Sequence, residues 1–252
     1  MRSVLAAVAL LFVLSACGTG SDGSAPTTQP SGSESAAPTD APEAGSTAPE
    51  PAAAETTALA EPETEQLTAT PVLPEGPYYP TEAQRPSDRD SDLLLLTGSP
   101  AIASGEPLLL DGQLLDTSGS PVSDATVALW QTDVQGVYLH PDDPRKDIRD
   151  VYFQSYGEAL TGEDGAFSFR TIVPAPYESR PRHLHLKVTL DSVELLTTQI
   201  FFAGDAALVS DDLTAGLGTA LDAVSVTPTP GVDDAGLAVQ RATRIIVIEP
   251  PS

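Results

Sequence analysis

Apolar residues in the second half of this chain recur with a period of two, and helical periodicity is nearly absent. Pro107–Leu115 (PLLLDGQLL) reads as a strand, and Asp116–Pro121 (DTSGSP) as a turn. Ala125–Thr132 (ATVALWQT) reads as a second strand with Val127, Leu129 and Gln131 on one face, so the pattern predicts a long β-hairpin. Glu163-Asp164-Gly165 opens a further strand, Ala166–Val173, in which Phe167 and Phe169 point the same way. His183–Leu190 and Val193–Phe202 form a hairpin across Asp191-Ser192, and Leu237–Ile248 supplies a last strand with Ile246 and Ile248 on one face. Leu213–Val224 suits a short helix or a loop. Strands at this spacing, punctuated by Gly, Pro and Asp, predict an all-β fold with an antiparallel β-sandwich core.

One stretch breaks the rhythm. Gln135–Leu160 is long, polar and aromatic, with no steady period. Loops of this length in a compact domain are functional or disordered, and Tyr138, Tyr152 and Tyr156 argue for a held loop.

The N-terminal part changes the picture of where the protein works. Met1-Arg2 precedes an apolar run, Val4–Leu14, that is too short for the ~20 residues of a membrane span. It ends in Leu-Ser-Ala-Cys, which resembles the lipobox of bacterial lipoproteins. The expectation is a signal peptide over 1–16 and a lipid-modified Cys17, the chain's single cysteine. Residues 17–70 are rich in Ala, Pro, Thr, Ser and Glu, with no Lys or Arg between Arg2 and Arg85, the composition of a disordered stalk. Residues 71–252 then form one domain of ordinary size. The net charge of −24 argues against nucleic acid or an anionic membrane surface as partner, leaving the lipid anchor as the membrane contact.

Candidate chemistry centres on SRPRHLHLKV, where His183 and His185 flank a leucine. Residues two apart on a strand project from one face and can converge on one ion. A solvent-facing strand supplies the same spacing, and Lys187 continues that face. Tyr177 in PAPY and Tyr138 in QGVY are, taken singly, ordinary sandwich-edge tyrosines. Should a metal sit at the two histidines, phenolate oxygens beside imidazoles would favour Fe(III) over Zn(II).

EGPYYP (Glu75–Pro80), Leu110–Tyr138, TGEDGAFSFRTIVPAPY (Thr161–Tyr177), RPRHLH (Arg180–His185) and TQIFFAGD (Thr198–Asp205) occur in the order seen in intradiol ring-cleavage dioxygenases, and the chain resembles that family from Glu75 to Asp205. The resemblance implies a non-haem Fe(III) enzyme that inserts O2 into a catechol-type ring between its two hydroxyl-bearing carbons, giving a muconate-type dicarboxylate. It implies Tyr138, Tyr177, His183 and His185 as iron ligands, with Tyr177 the one displaced by substrate. Arg180 matches the arginine beside the substrate, and Gln199 the glutamine near the reacting ring. In place of the long helical N-terminal segment of the catechol dioxygenases the chain has its stalk, which brings it closer to the protocatechuate-type β-subunit core. Arg182 stands where a small residue is common, and His140 matches no ligand position.

Two other functions fit parts of the chain. A prealbumin-like or adhesin-type sandwich acting as a non-catalytic binding or spacer module accounts for Asp111–Trp130, but has no use for PAPY, RPRHLH and TQIFF. A zinc hydrolase built on the histidine pair lacks a catalytic carboxylate near it and a third ligand of the usual type. Which catechol is taken, and whether a homo-oligomer forms, the sequence leaves open.

Overall fold

The computed structural model describes residues 66–250. The signal segment, Cys17 and the stalk up to residue 65 lie outside the described residues. The expected stalk ends earlier than residue 70. Leu67 N–H donates to the Thr117 carbonyl at 2.8 Å, Thr70 N–H to that of Val247 at 2.8 Å, and Val247 N–H to Thr70 Oγ1 at 2.9 Å. Residues 67 and 70 are therefore already stitched to the folded unit.

Among the described residues, nine strands make two packed sheets. The first contains β1 (Pro107–Asp116), β4 (Ala166–Ile172), β8 (Thr229–Val232) and β9 (Ala238–Ile248), in the order β4-β1-β9-β8. The second contains β2 (Thr126–Trp130), β3 (Tyr156–Leu160), β5 (His183–Leu190), β6 (Val193–Phe202) and β7 (Ser225–Val226), in the order β3-β2-β5-β6-β7. Leu108, Leu110 and Leu114 of β1, Phe167 and Phe169 of β4 and Ile246 and Ile248 of β9 meet Val127, Leu129, Leu184, Leu186 and Ile200 in one core between the sheets. Removing this apolar area from water is the main force holding the layers together.

Two strand expectations change. β1 and β2 do not pair as a hairpin, because they belong to different sheets. Only the tip folds back, with Val122 N–H donating to the Leu114 carbonyl at 3.0 Å, before the chain crosses over. Both strands carry an apolar face, and packing face to face buries both against each other, which side-by-side pairing would not. The sandwich is also mixed rather than purely antiparallel, since β1/β9 and β6/β7 are parallel pairs. Alternation is the same in both kinds of ladder, so it does not report strand direction. The β5–β6 hairpin forms as expected, with Asp191 and Ser192 at φ 50° and 67°, the left-handed pair of a tight two-residue turn. Leu213–Val224 is helical, as α1 (Asp212–Leu217) followed by a 3-10 turn over Gly218–Val224.

What positions the site is the outer face of the second sheet. One cross-strand row runs Tyr156, Trp130, His185, Gln199 over β3, β2, β5 and β6. Loops cover this face, so it is as buried as the face toward the core. Ala128, Trp130, Tyr138 and Tyr156 form a second, aromatic cluster there, with Tyr78, Tyr79, Leu139 and Tyr177 packed against it.

Candidate metal centre

His183 and His185 project from that outer face, while Leu184 and Leu186 between and after them enter the core. Both imidazoles are only 4% exposed, so the strand is not solvent-facing here. His183 Nδ1 lies 2.7 Å from the Pro181 carbonyl oxygen, an acceptor, which assigns the ring proton to Nδ1 and leaves a lone pair on Nε2. His185 is stacked on Trp130, with ring centroids 4.6 Å apart and an interplanar angle of 12°. Burial pushes His183 down to about 4 and His185 well below the usual histidine range, so both are neutral at neutral pH.

Tyr138 reaches this pair from the long loop. Its phenol oxygen lies 2.9 Å from His183 Nε2 and 3.1 Å from His185 Nε2. Two buried carboxylates shape the loop by accepting backbone N–H groups: Asp133 from Gln135, Val137 and Asp150, and Asp143 from Tyr138 and Arg145. Gly136, at φ 74°, has the Pro176 carbonyl oxygen where a Cβ would stand, which packs the Tyr138 loop onto the Tyr177 loop. The stretch from Gln135 to Ser155 is thus a held loop, as Tyr138 and Tyr152 suggested, whereas Tyr156–Leu160, expected to continue it, is strand β3, paired to β2.

Tyr177 lines the same cavity, its ring 5.4 Å from that of Tyr138. Its phenol oxygen is 2.8 Å from that of Tyr78. Burial above all, and then the Tyr78 hydrogen bond, holds the Tyr177 phenol above its ordinary range. Burial raises Tyr138 likewise, against the pull of Arg180. Neither phenol ionises here without a cation to hold the phenolate.

Arg180 lies on the cavity wall, and Gln199 does not. Arg180 Nε is 2.7 Å from Asp211 Oδ2, in contact as an ion pair though not aligned as a hydrogen bond. Its Nη2 donates to Gln199 Oε1 at 3.0 Å, and Gln199 Nε2 donates to the Pro74 carbonyl at 2.7 Å. Both ends of the Gln199 amide are therefore committed, and it links Arg180 to the segment that carries Tyr78. Arg182 is turned away, bonded through its N–H to Asp205. His140 packs against Tyr78 with ring centroids 5.5 Å apart and planes tilted by 58°, away from the histidine pair.

The cavity holds 190 Å³ and is also lined by Glu75, Gly76, Pro77, Tyr78 and Glu178. A larger groove, 470 Å³, lies over β1 and β9 on the exposed face of the first sheet, away from these groups. Tyr78, Glu75, Asp211 and Trp130 are site residues for which sequence reasoning supplied no role. EGPYYP was a legible motif for the first two. Asp211, in a segment without strand pattern, carried no signal.

The donor set suits one ion. The Tyr138 oxygen stands 2.9 and 3.1 Å from the two Nε2 atoms, so the three donors converge closely enough to share one ion. Among the described residues no cluster of three or more His, Cys, Asp and Glu offers a site of the zinc-hydrolase type. The further donors here are phenols, which select a hard trivalent ion.

The family profile described as Dioxygenase matches residues 74–235. Protocatechuate 3,4-dioxygenase beta chain of Burkholderia cepacia is 33% identical over 153 residues, 56% of this chain and 63% of that one. Chlorocatechol 1,2-dioxygenase of Cupriavidus pinatubonensis is 30% identical over 206 residues, 72% of this chain and 70% of that one. The dioxygenase domain of a dioxygenase and carbohydrate-binding fusion from Streptomyces sp. SirexAA-E superposes with a TM-score of 0.54 at 26% identity, covering 73% of this chain and all of that one. Catechol 1,2-dioxygenase from Acinetobacter shares the fold, with a TM-score of 0.54 at 22% identity. A non-catalytic spacer is not favoured by any of these likenesses. The chain belongs to the intradiol ring-cleavage dioxygenase family of oxidoreductases.

Proposed function

We propose that this protein is a non-haem Fe(III) intradiol dioxygenase that cleaves a catechol-type ring with O2 between the two hydroxyl-bearing carbons, yielding a muconate-type dicarboxylate. The observation that carries the reading is the Tyr138 phenol oxygen lying between the Nε2 atoms of His183 and His185. Tyr138, Tyr177, His183 and His185 would hold the ferric iron, which would supply a Lewis acid and an electron sink for a catechol-type substrate.

The chain's own residues supply the rest. Neutral imidazoles present lone pairs without first losing a proton. The Tyr177 oxygen would take a proton from a catechol hydroxyl, and Tyr78 holds that oxygen in place at 2.8 Å. Arg180, aimed by Asp211 and Gln199, offers a fixed cation to negative charge developing on the substrate. The aromatic cluster keeps water from the reacting centre.

The N-terminal motif supports export and lipid attachment at Cys17 on the outer face of the cell membrane. A Cys17→Ala protein that still partitions with membranes would overturn that part. For the activity, iron-replete protein should be coloured by tyrosinate-to-iron charge transfer and consume O2 with catechol. Tyr138→Phe should lose the colour. Colourless protein without iron after iron-replete expression would sink the reading.

A further inference from the structure

We infer that the cavity selects catechols whose ring carries a neutral or cationic substituent over those carrying a carboxylate, and that Glu178 at its rim is a specificity-determining residue. The inference rests on the ring-cleavage reading above and names its substrate class.

Three charged side chains line the cavity: Glu75, Glu178 and Arg180. Arg180 is already paired. Its Nε stands 2.7 Å from Asp211, whose side chain is 7% exposed, and its Nη2 is given to Gln199. Glu75 is matched by Lys187, which it shares with Glu194 at 3.2 Å. Arg145 is not part of the lining and has no carboxylate partner among the described residues; its guanidinium carbon lies 5.6 Å from the Tyr177 ring centroid, and it donates to the carbonyls of Gln135 and Gly136. Glu178 is exposed and has no ionic partner among the described residues. Its backbone sits at φ 51°, a left-handed conformation costly for a side chain of this kind.

A carboxylate on a ring seated in so small a cavity meets the unpaired charge of Glu178 and, on the lining itself, no cation without a carboxylate partner. At separations of several Å near a protein surface, one like charge is worth about tenfold in binding, and salt weakens it. An ammonium substituent meets the same charge with the opposite sign. Chains of the same family that take a ring carboxylate need a donor for it, and this wall offers none that is free.

The test uses the iron-loaded full chain and pairs protocatechuate with 3,4-dihydroxybenzamide, its neutral isostere, alongside 4-methylcatechol and 4-(2-aminoethyl)catechol. Anaerobic Kd and aerobic kcat/KM are measured at low and high salt. The benzamide should be preferred over protocatechuate by about tenfold, with the gap shrinking as salt rises. Glu178→Gln should close that gap about three- to tenfold in both Kd and kcat/KM. Equal handling of the two isosteres by the native protein, or an unchanged ratio in Glu178→Gln, overturns the inference. Rejection of both isosteres while 4-methylcatechol is accepted makes the selection steric and overturns it too. Binding of catechols without turnover of any counts against the ring-cleavage reading, and the Kd ratios still decide the charge selection.

Discussion

Asp211 holds Arg180 in place: its carboxylate lies 2.7 Å from the arginine Nε, and the same side chain accepts the Thr214 N–H at 3.0 Å. The N-cap of α1 is thus also the buttress of the one cation on the cavity wall. Asn at this position still caps a helix but carries no charge. Asp211→Asn should cut kcat about tenfold through misorientation of the guanidinium, with folding stability lowered by about 1 kcal/mol and the visible charge-transfer band unmoved. In an Arg180→Lys background the same change should add little. Additive losses in that double-mutant cycle would place Asp211 outside the arginine's control.

The buried histidines make the iron-free protein acid-sensitive. An unfolded histidine protonates near 6.5, whereas burial lowers His183 to about 4 and His185 further. Between those values the unfolded chain takes up protons that the folded one refuses. Stability is therefore complete above about pH 6.5 and lost as pH falls, by about 3 kcal/mol from His183 alone at pH 4. Urea midpoints of the iron-free protein at pH 7.5, 5.5 and 4.5 should decline in that order. A flat profile would show that the imidazoles are not desolvated.

Gly136 couples the two loops that carry the proposed tyrosine ligands. Its φ of 74° and the Pro176 carbonyl at the Cβ position leave no room for a side chain. Gly136→Ala should destabilise the fold by about 2 kcal/mol or more and lower bound iron per chain, because Tyr138 is two residues away. Thermal midpoint and iron stoichiometry measure the two effects separately. Native iron content in this variant would mean that the Tyr138 and Tyr177 loops move independently.

Lys187 continues the histidine face of β5, yet it is no solvated lysine. Its side chain is 12% exposed, pairs with Glu75 and Glu194, and lies 4.1 Å from the Tyr79 ring centroid. Lys187→Met should cost about 1–2 kcal/mol by leaving two carboxylates without their cation, and should loosen the Glu75–Tyr79 segment over the cavity. Urea unfolding and proteolysis near residue 79 would register both, and Lys187→Arg should recover part of the loss.

Much of the architecture was legible because burial on one face writes a period of two into a strand. Phe167 and Phe169, Ile246 and Ile248, and the Asp191-Ser192 turn all sit as that pattern demands. Pairing was not legible. The run from β1 to β2 looks like a hairpin, since local alternation is identical whether the next strand lies beside the first or across the core from it.

The site divides along the same line. Residue order and motif by themselves nominated the side chains of the proposed site: the histidine pair two apart on a strand, the two tyrosines, and the arginine between. Only the tertiary structure decided that the outer face of β5 is buried under loops. That burial makes the histidines neutral, sets Tyr138 between them, and turns Gln199 from a group at the ring into a tie between Arg180 and Pro74. Asp211, Tyr78 and Glu178 acquire their roles in the same way, from segments far apart in the chain. Periodicity records which way a side chain points relative to its own strand. What stands opposite it is set by loops whose polar sequence carries no period, and that is where the charge and chemistry of this cavity were settled.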